Sequence, residues 1–166
     1  MKTLFIVRHA KSSWDHPELD DIDRPLNSRG KRNAPEMGKR LAKRKIKPGI
    51  LLTSPAKRAR ATAKTIAREL SLTESSLIRN DLLYHGTIKD ILQAISNTDD
   101  DIEQMMIFGH NPGFTDLANY LTGADIYNIP TCGIVAIEFP FNSWHEIKEG
   151  KGTLLFFDYP KKTLGN

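Results

Sequence analysis

Four residues of the types used in phosphoryl chemistry stand where short apolar runs of this chain stop. Arg8-His9 ends the run at residues 3–7. Ser54-Pro55, followed by Arg58, ends the run at 50–53, and Gly109-His110 ends the run at 104–108. A neutral imidazole nitrogen of His9 can attack phosphorus, splitting one displacement into two through a phosphoenzyme. The transferred group spreads its charge over three oxygens, which fixed cations stabilise. Arg8 and Arg58 offer planar, bidentate donors for those oxygens, and His110 can supply another. The sequence offers no metal cage, so the arginines would carry the charge a metal otherwise carries. Neither a metal nor another cofactor is expected.

These residues can act together only if the fold brings three strand ends side by side. The pattern along the chain is strand and helix in turn. Residues 3–7 read as a β-prone run, followed by a polar loop at 10–27 whose length favours a functional role. Ser28 reads as the cap of a basic amphipathic helix reaching residue 44, with Pro35 bending it or marking a late start. Residues 50–53 read as a second strand, and Ser54-Pro55 as a helix start, with Ala59, Ala63, Ile66, Ala67 and Leu70 on one face. Short strands at 76–79 and 104–108 flank a helix at 87–95, and Asn111-Pro112 repeats the cap-plus-proline signal before a helix to Leu121. Near the C-terminus come two closely spaced strands, 133–139 and 153–159, with a third expected between them at 144–148.

This order predicts an α/β fold: a three-layer sandwich with a mainly parallel central sheet, helices on both faces and antiparallel strands near the C-terminus. One domain spanning 1–166 is expected. Ligands of such sheets bind outside the carboxyl ends of the strands, where Arg8, His9, Arg58 and His110 fall.

Composition narrows the function classes. Of the 166 residues, 39% are hydrophobic and 27% charged, as in ordinary globular chains. The early apolar stretch Leu4 to Val7 is too short for a signal-peptide core or membrane span, and the single cysteine, Cys132, builds no intramolecular disulfide. A cytoplasmic protein without a membrane partner is the expectation. Nine basic residues between Arg29 and Lys47 face only Glu36. No aromatic residues interleave with them, so this segment reads as the solvated face of a helix with Met37 and Leu41 buried, and no nucleic-acid partner is expected.

Taken together and in order, the motifs resemble the histidine phosphatase superfamily, in particular its short SixA-type phosphohistidine phosphatase branch. They are Leu4-Phe5-Ile6-Val7-Arg8-His9-Ala10, Arg24-Pro25-Leu26-Asn27 with Gly30, Thr53-Ser54-Pro55 with Arg58-Ala59 and Thr62, and Gly109-His110-Asn111-Pro112. The resemblance implies His9 as the phosphorylated nucleophile, with Arg8, Arg58 and His110 forming the phosphate pocket. Ala10 stands where the family has glycine, a small residue for a small one. Ser12, Trp14 and Asp15 are similar to a serine, tryptophan and asparagine stretch of the mutase-like branch. Ser12 is a candidate phosphate contact, whereas the Asp15 carboxylate would repel a phosphate and is left outside the site. Family members that act on phosphate esters carry a carboxylic acid for the leaving oxygen. Here Asp81 and His85 are the candidates, His85 being an acid or a pocket wall.

Without a lid-sized insertion the site would be open, which suits a protein-borne phosphate. Phosphohistidine or phosphoprotein dephosphorylation is therefore the expected activity. A small-molecule phosphatase or mutase with the same nucleophile, or a non-catalytic phospholigand-binding protein, stands as the alternative. A cysteine-based phosphatase would need arginine at position 138, which is glutamate. No G-x-x-x-x-G-K-[ST] loop is present. Asp21-Ile22-Asp23 reads as a solvated acidic loop, His16 and His145 as surface residues, and Cys132 as a packing residue.

Overall fold

A computed structural model of the chain describes residues 1–162. Six strands form one sheet: β1 (Lys2–Arg8), β2 (Ile50–Thr53), β3 (Leu77–Arg79), β4 (Gln104–Gly109), β5 (Ile134–Phe139) and β6 (Thr153–Asp158), in the order β3-β2-β4-β1-β5-β6. The first four are parallel to one another, while β5 runs antiparallel to β1 and to β6. The helices are α1 (Ser28–Lys43), α2 (Lys57–Glu69), α3 (Ile88–Ser96) and α4 (Gly113–Thr122).

The alternation of side chains along a strand divides the core between the two faces of the sheet. Leu4 and Ile6 of β1, with Met105 and Ile107 of β4, pack among Ile91 and Ile95 of α3 and Phe114 and Leu117 of α4. Phe5 and Val7, with Met106 and Phe108, pack among Met37 and Leu41 of α1 and Ala63 and Ile66 of α2. Both faces are covered, so the inner positions of these strands, 4–7 and 105–108, are apolar in succession rather than alternately. This is the expected α/β sandwich, including its antiparallel C-terminal pair.

Several boundaries differ from the sequence reading. Helix α1 is capped by Asn27, whose side chain accepts from Gly30 N at 2.9 Å, and Ser28 is its first residue. The helix runs through Pro35 without a late start. Helix α2 begins at Lys57 rather than at Pro55 behind a Ser54 cap, because the Ser54 hydroxyl is taken up by His110 and by the amide of Ala56. Helix α4 begins at Gly113, and Asn111 Oδ1 accepts from the amide and hydroxyl of Thr115. The third C-terminal strand does not form. Trp144–Glu146 is a short 3-10 helix, turned so that the Trp144 indole is buried and donates to Ile102 O at 2.9 Å.

The basic segment lies as read: Met37 and Leu41 are buried, while Arg29, Lys31, Arg32, Lys39, Lys43, Arg44, Lys45 and Lys47 are exposed. Arg40 is the exception, bridging Asp158 at 3.0 Å and Glu36 at 2.7 Å. Among the described residues no helix is long and apolar enough to cross a membrane.

Gly30 sets how closely α1 approaches the loop after β1. A Cβ on Gly30 would lie 2.2 Å from the Lys11 carbonyl oxygen, a backbone atom that a neighbouring hydrogen bond from Asn27 N holds in place. Gly30→Ala is expected to destabilise the protein by about 1–3 kcal/mol through this overpacking, measured as a lowered urea midpoint with an unchanged m-value.

Candidate active site

The sheet order makes β2, β4 and β1 consecutive, and their carboxyl ends lie level, with Arg8 paired to Gly109 and Thr53 to Phe108. The ladder continues into the residues that follow: His9 N donates to Gly109 O at 3.0 Å, and Ser54 N to Phe108 O at 2.9 Å. Arg8, His9, Arg58 and His110 thus line one cavity of about 240 Å³, together with Ser12 and His85. All six of the sequence-predicted site residues meet here. Asp15 does not line it, and neither does Asp81, an exposed residue whose carbonyl accepts from Tyr84 N.

His9 is buried, and its Nδ1 lies 2.7 Å from the carbonyl oxygen of Ala10. That oxygen can only accept, so the neutral ring carries its proton on Nδ1. Nε2, which has no hydrogen-bond partner among the described residues, then keeps its lone pair. Burial, opposed by the Ala10 hydrogen bond and reinforced by Arg58, Arg8 and Arg24, lowers the His9 pKa to about 3. The loop itself is fixed from below, because Ala10 N donates to the Thr62 hydroxyl, which donates to Arg58 O in the same helix.

His110 is buried beside it, the two ring centroids 5.2 Å apart. One edge meets Ser54 Oγ through Nε2 at 2.8 Å, and the other receives an Arg58 N–H at Nδ1 at 3.4 Å. Since a guanidinium only donates, the ring proton sits on Nε2. Burial, with His9 and Arg58 adding to it, lowers the His110 pKa to about 2.

The arginines are held in different ways. Arg8 donates through Nη1 to Ile129 O at 2.9 Å, while its buried Nε has no partner among the described residues. Arg58, 3% exposed, donates to both the backbone oxygen (2.7 Å) and the carboxylate (3.0 Å) of Asp21. Asp21 also receives Arg24 at 3.0 Å and the Tyr84 hydroxyl at 2.7 Å, and His85 Nε2 lies 3.6 Å from it. Partial burial works against its charge. The hydrogen bonds from Tyr84, Arg58 and Arg24 outweigh that and hold Asp21 well below the usual carboxylate range.

Asp21, Arg24 and Tyr84 are thus the residues that sequence reasoning missed. Asp21 looked like part of a solvated loop, and Asp23 is indeed exposed, but the 3-10 helix Asp21–Asp23 turns the first carboxylate inward. The available signal was the three-residue spacing from Asp21 to the arginine of Arg24-Pro25-Leu26. Ser12 supports this wall from behind, accepting from Arg24 Nη2 at 2.6 Å. His85 lines the cavity, its ring 4.7 Å from that of His110 and 4.5 Å from that of Tyr84.

Comparison with known proteins agrees with the fold that carries these residues. Residues 4–82 match the histidine phosphatase superfamily (branch 1). An uncharacterized chloroplastic protein of Arabidopsis thaliana is 32% identical over 153 residues, 87% of this chain and 70% of that one. A 2,3-bisphosphoglycerate-dependent phosphoglycerate mutase of Bartonella bacilliformis is 34% identical over 92 residues, but this chain covers only 45% of its length. Among solved structures, SixA of Agrobacterium tumefaciens superposes with a TM-score of 0.82 at 24% identity, covering 96% of this chain and 98% of that one. The protein histidine phosphatase SixA complexed with tungstate gives 0.79 at 23% identity, covering 95% and 97%. At these identities the two structures establish the likeness of fold.

A depressed imidazole pKa means the unfolded chain binds more protons than the folded one, so His9 removes stability as the pH falls from about 6.5 toward 3 and costs nothing above that window. At pH 5 His9 is expected to remain the neutral Nδ1–H tautomer, read from the nitrogen shifts of its ring by NMR. A protonated His9 ring at pH 5 would contradict this.

Proposed function

The chain belongs to the histidine phosphatase superfamily, and from that premise we propose that it hydrolyses phosphohistidine, or another phosphorylated protein residue, with His9 as the phosphoryl-accepting nucleophile. The observation that carries the nucleophile is the direction of the His9 ring. Its Nδ1–H is committed to Ala10 O, which leaves an unprotonated Nε2 in a cavity lined by Arg8, Arg24 and Arg58.

The chemistry balances on this chain's own groups. Nε2 attacks phosphorus while the bond to the leaving group breaks. His9 then becomes a phosphoimidazolium that still carries its Nδ1 proton. The Ala10 carbonyl, which accepts that proton's hydrogen bond, offsets the positive charge that burial disfavours. Water next attacks phosphorus, the P–N bond breaks, and the electron pair returns to Nε2, restoring neutral His9. The water proton leaves with phosphate or to solvent.

Arg8 would bind the phosphoryl oxygens through its unpartnered Nε and the adjacent Nη2, and Arg58 through the guanidinium edge beside His110. Burial, with the neighbouring cations adding to it, holds His110 neutral, and an entering phosphoryl charge opposes both. The His110 Nδ1 can then take a proton and become a further donor.

The preference for phosphohistidine rests on Asp21. It is the one carboxylate lining the cavity among the described residues, and it is held ionised, so it is a poor proton donor to an alkoxide. Phosphohistidine protonated on its distal ring nitrogen needs no such donor. When its P–N bond breaks, the electron pair stays on the leaving nitrogen and a neutral imidazole departs. The same substrate class is the one named for the SixA protein bound to tungstate.

Turnover should be measured with chelator present on a phosphohistidine peptide, a phosphotyrosine peptide, a sugar phosphate and an activated aryl phosphate. The phosphohistidine peptide is expected to give the highest kcat/KM, unchanged by chelator, and His9→Ala to lose more than about 10³-fold. Full activity in that variant removes the nucleophile assignment. Much faster turnover of the sugar phosphate reassigns the enzyme to small molecules.

A further inference from the structure

Trp14 stands out against the rest of the molecule. The protein has two tryptophans; Trp144 is 1% exposed, whereas Trp14 is 75% exposed and lines the same cavity as His9. An isolated exposed apolar side chain is ordinary, but this one is fixed in place. The Arg24 guanidinium lies 3.3 Å from the centre of its indole ring and covers one face. Arg24 is itself buried and held by three hydrogen bonds, to Ser13 O, Ser12 Oγ and the Asp21 carboxylate. The preceding residues Ser12 and Ser13 are buried too, and Ser13 Oγ accepts from the amide of Asp15. The indole is therefore held at the cavity mouth with one face against a cation and the other open to solvent.

We propose that this open face is the platform for the group that carries the phosphate, stacking on the flat imidazole ring of phosphohistidine while His9 attacks its phosphorus. This rests on the reading of His9 as nucleophile and adds the residue that selects the leaving group. Offset stacking of two π systems suits a planar ring and gives nothing to a donor without one. An imidazole that is protonated before it leaves gains a cation–π attraction as well. The Asp21 carboxylate, paired to the same Arg24, offsets positive charge on either side of the indole.

The test compares phosphoimidazole and a phosphohistidine peptide, which carry the ring, with phosphoramidate, which presents the same P–N bond without one. In Trp14→Ala the ratio of kcat/KM for ring over ringless donor is expected to fall about 3- to 10-fold, mostly through KM, and in Trp14→Phe by less than about 2-fold. An equal fall for all donors would assign Trp14 to supporting Arg24, and unchanged kcat/KM for every donor would remove it from recognition. Either result overturns the platform.

Binding is read separately in His9→Ala, which cannot turn over. The phosphohistidine peptide should change tryptophan emission and phosphoramidate should not, and the change should vanish when Trp14→Phe is added, leaving the buried Trp144 as background. Persistence of the change in that double variant also overturns the platform. Retained turnover in His9→Ala would instead strike the nucleophile, so the two failures are told apart.

Discussion

Positive charge crowded into a small, partly dry space is the constraint on which the rest of this site depends. Arg8, Arg24, Arg58 and Lys11 line the same cavity, and Asp21 is the one carboxylate among the described residues to face them. Like charges this close are costly where water is scarce. Two consequences follow without further assumptions. The imidazoles of His9 and His110 give up their extra protons, because burial disfavours a charged ring and the neighbouring arginines add to that. An entering dianion meets a field already arranged for it, with no groups to reorganise when charge develops on the phosphoryl oxygens. Asp21 keeps the guanidiniums of Arg24 and Arg58 paired and aimed, and by its own charge it weakens the ground-state attraction for phosphate.

The geometry that permits this comes from the sheet rather than from the loops. Parallel neighbours that end level deliver residues eight to ten, 54 and 110 to one edge, and backbone hydrogen bonds one step past the formal strands pin them there. Cys132 N donates to the carbonyls of Arg8 and His9 from the other side, so the Arg-His step is held by neighbours on both flanks. Helix α2 adds a second attachment through Thr62, which links the Ala10 amide to the backbone of Arg58. A nucleophile fixed in this way loses little entropy on reaching the attacking geometry.

The strand-end residues were legible because apolar runs that stop at Arg-His or Gly-His mark where a covered strand meets solvent. The three-layer architecture followed from the same runs. The start of α2 was misjudged by two residues because its expected capping residue has a second use. Ser54 has the type and the proline neighbour of an N-cap, yet its hydroxyl serves His110, a demand that lies 56 positions along the chain. Residues 144–148 were expected as a strand from their place between two others, but Trp144 and Ile147, three apart, are both buried, which a 3-10 turn permits and a strand's alternating faces do not. Asp21 escaped notice for a related reason: its partners Arg58 and Tyr84 are remote in sequence, and only a short 3-10 helix with no buried residues turns it inward.

The division of labour between strand ends and the loop at 10–27 has a consequence for selectivity. Arg8, His9, Arg58 and His110 all touch the space a phosphoryl group would fill, and they stand at or beside the sheet edge. Ser12, Trp14, Asp21 and Arg24 come from one loop, tied down by the Ser12–Leu26 bridge and by Asn27 N on Lys11 O. On the proposed reading of the site, the loop would set what surrounds the leaving group and leave the reacting atoms to the sheet. Its charge pattern, one carboxylate clamped by arginines beneath an open aromatic face, is poorly matched to an alkoxide that must be protonated as it departs. It is well matched to a planar ring that leaves with its own proton already in place.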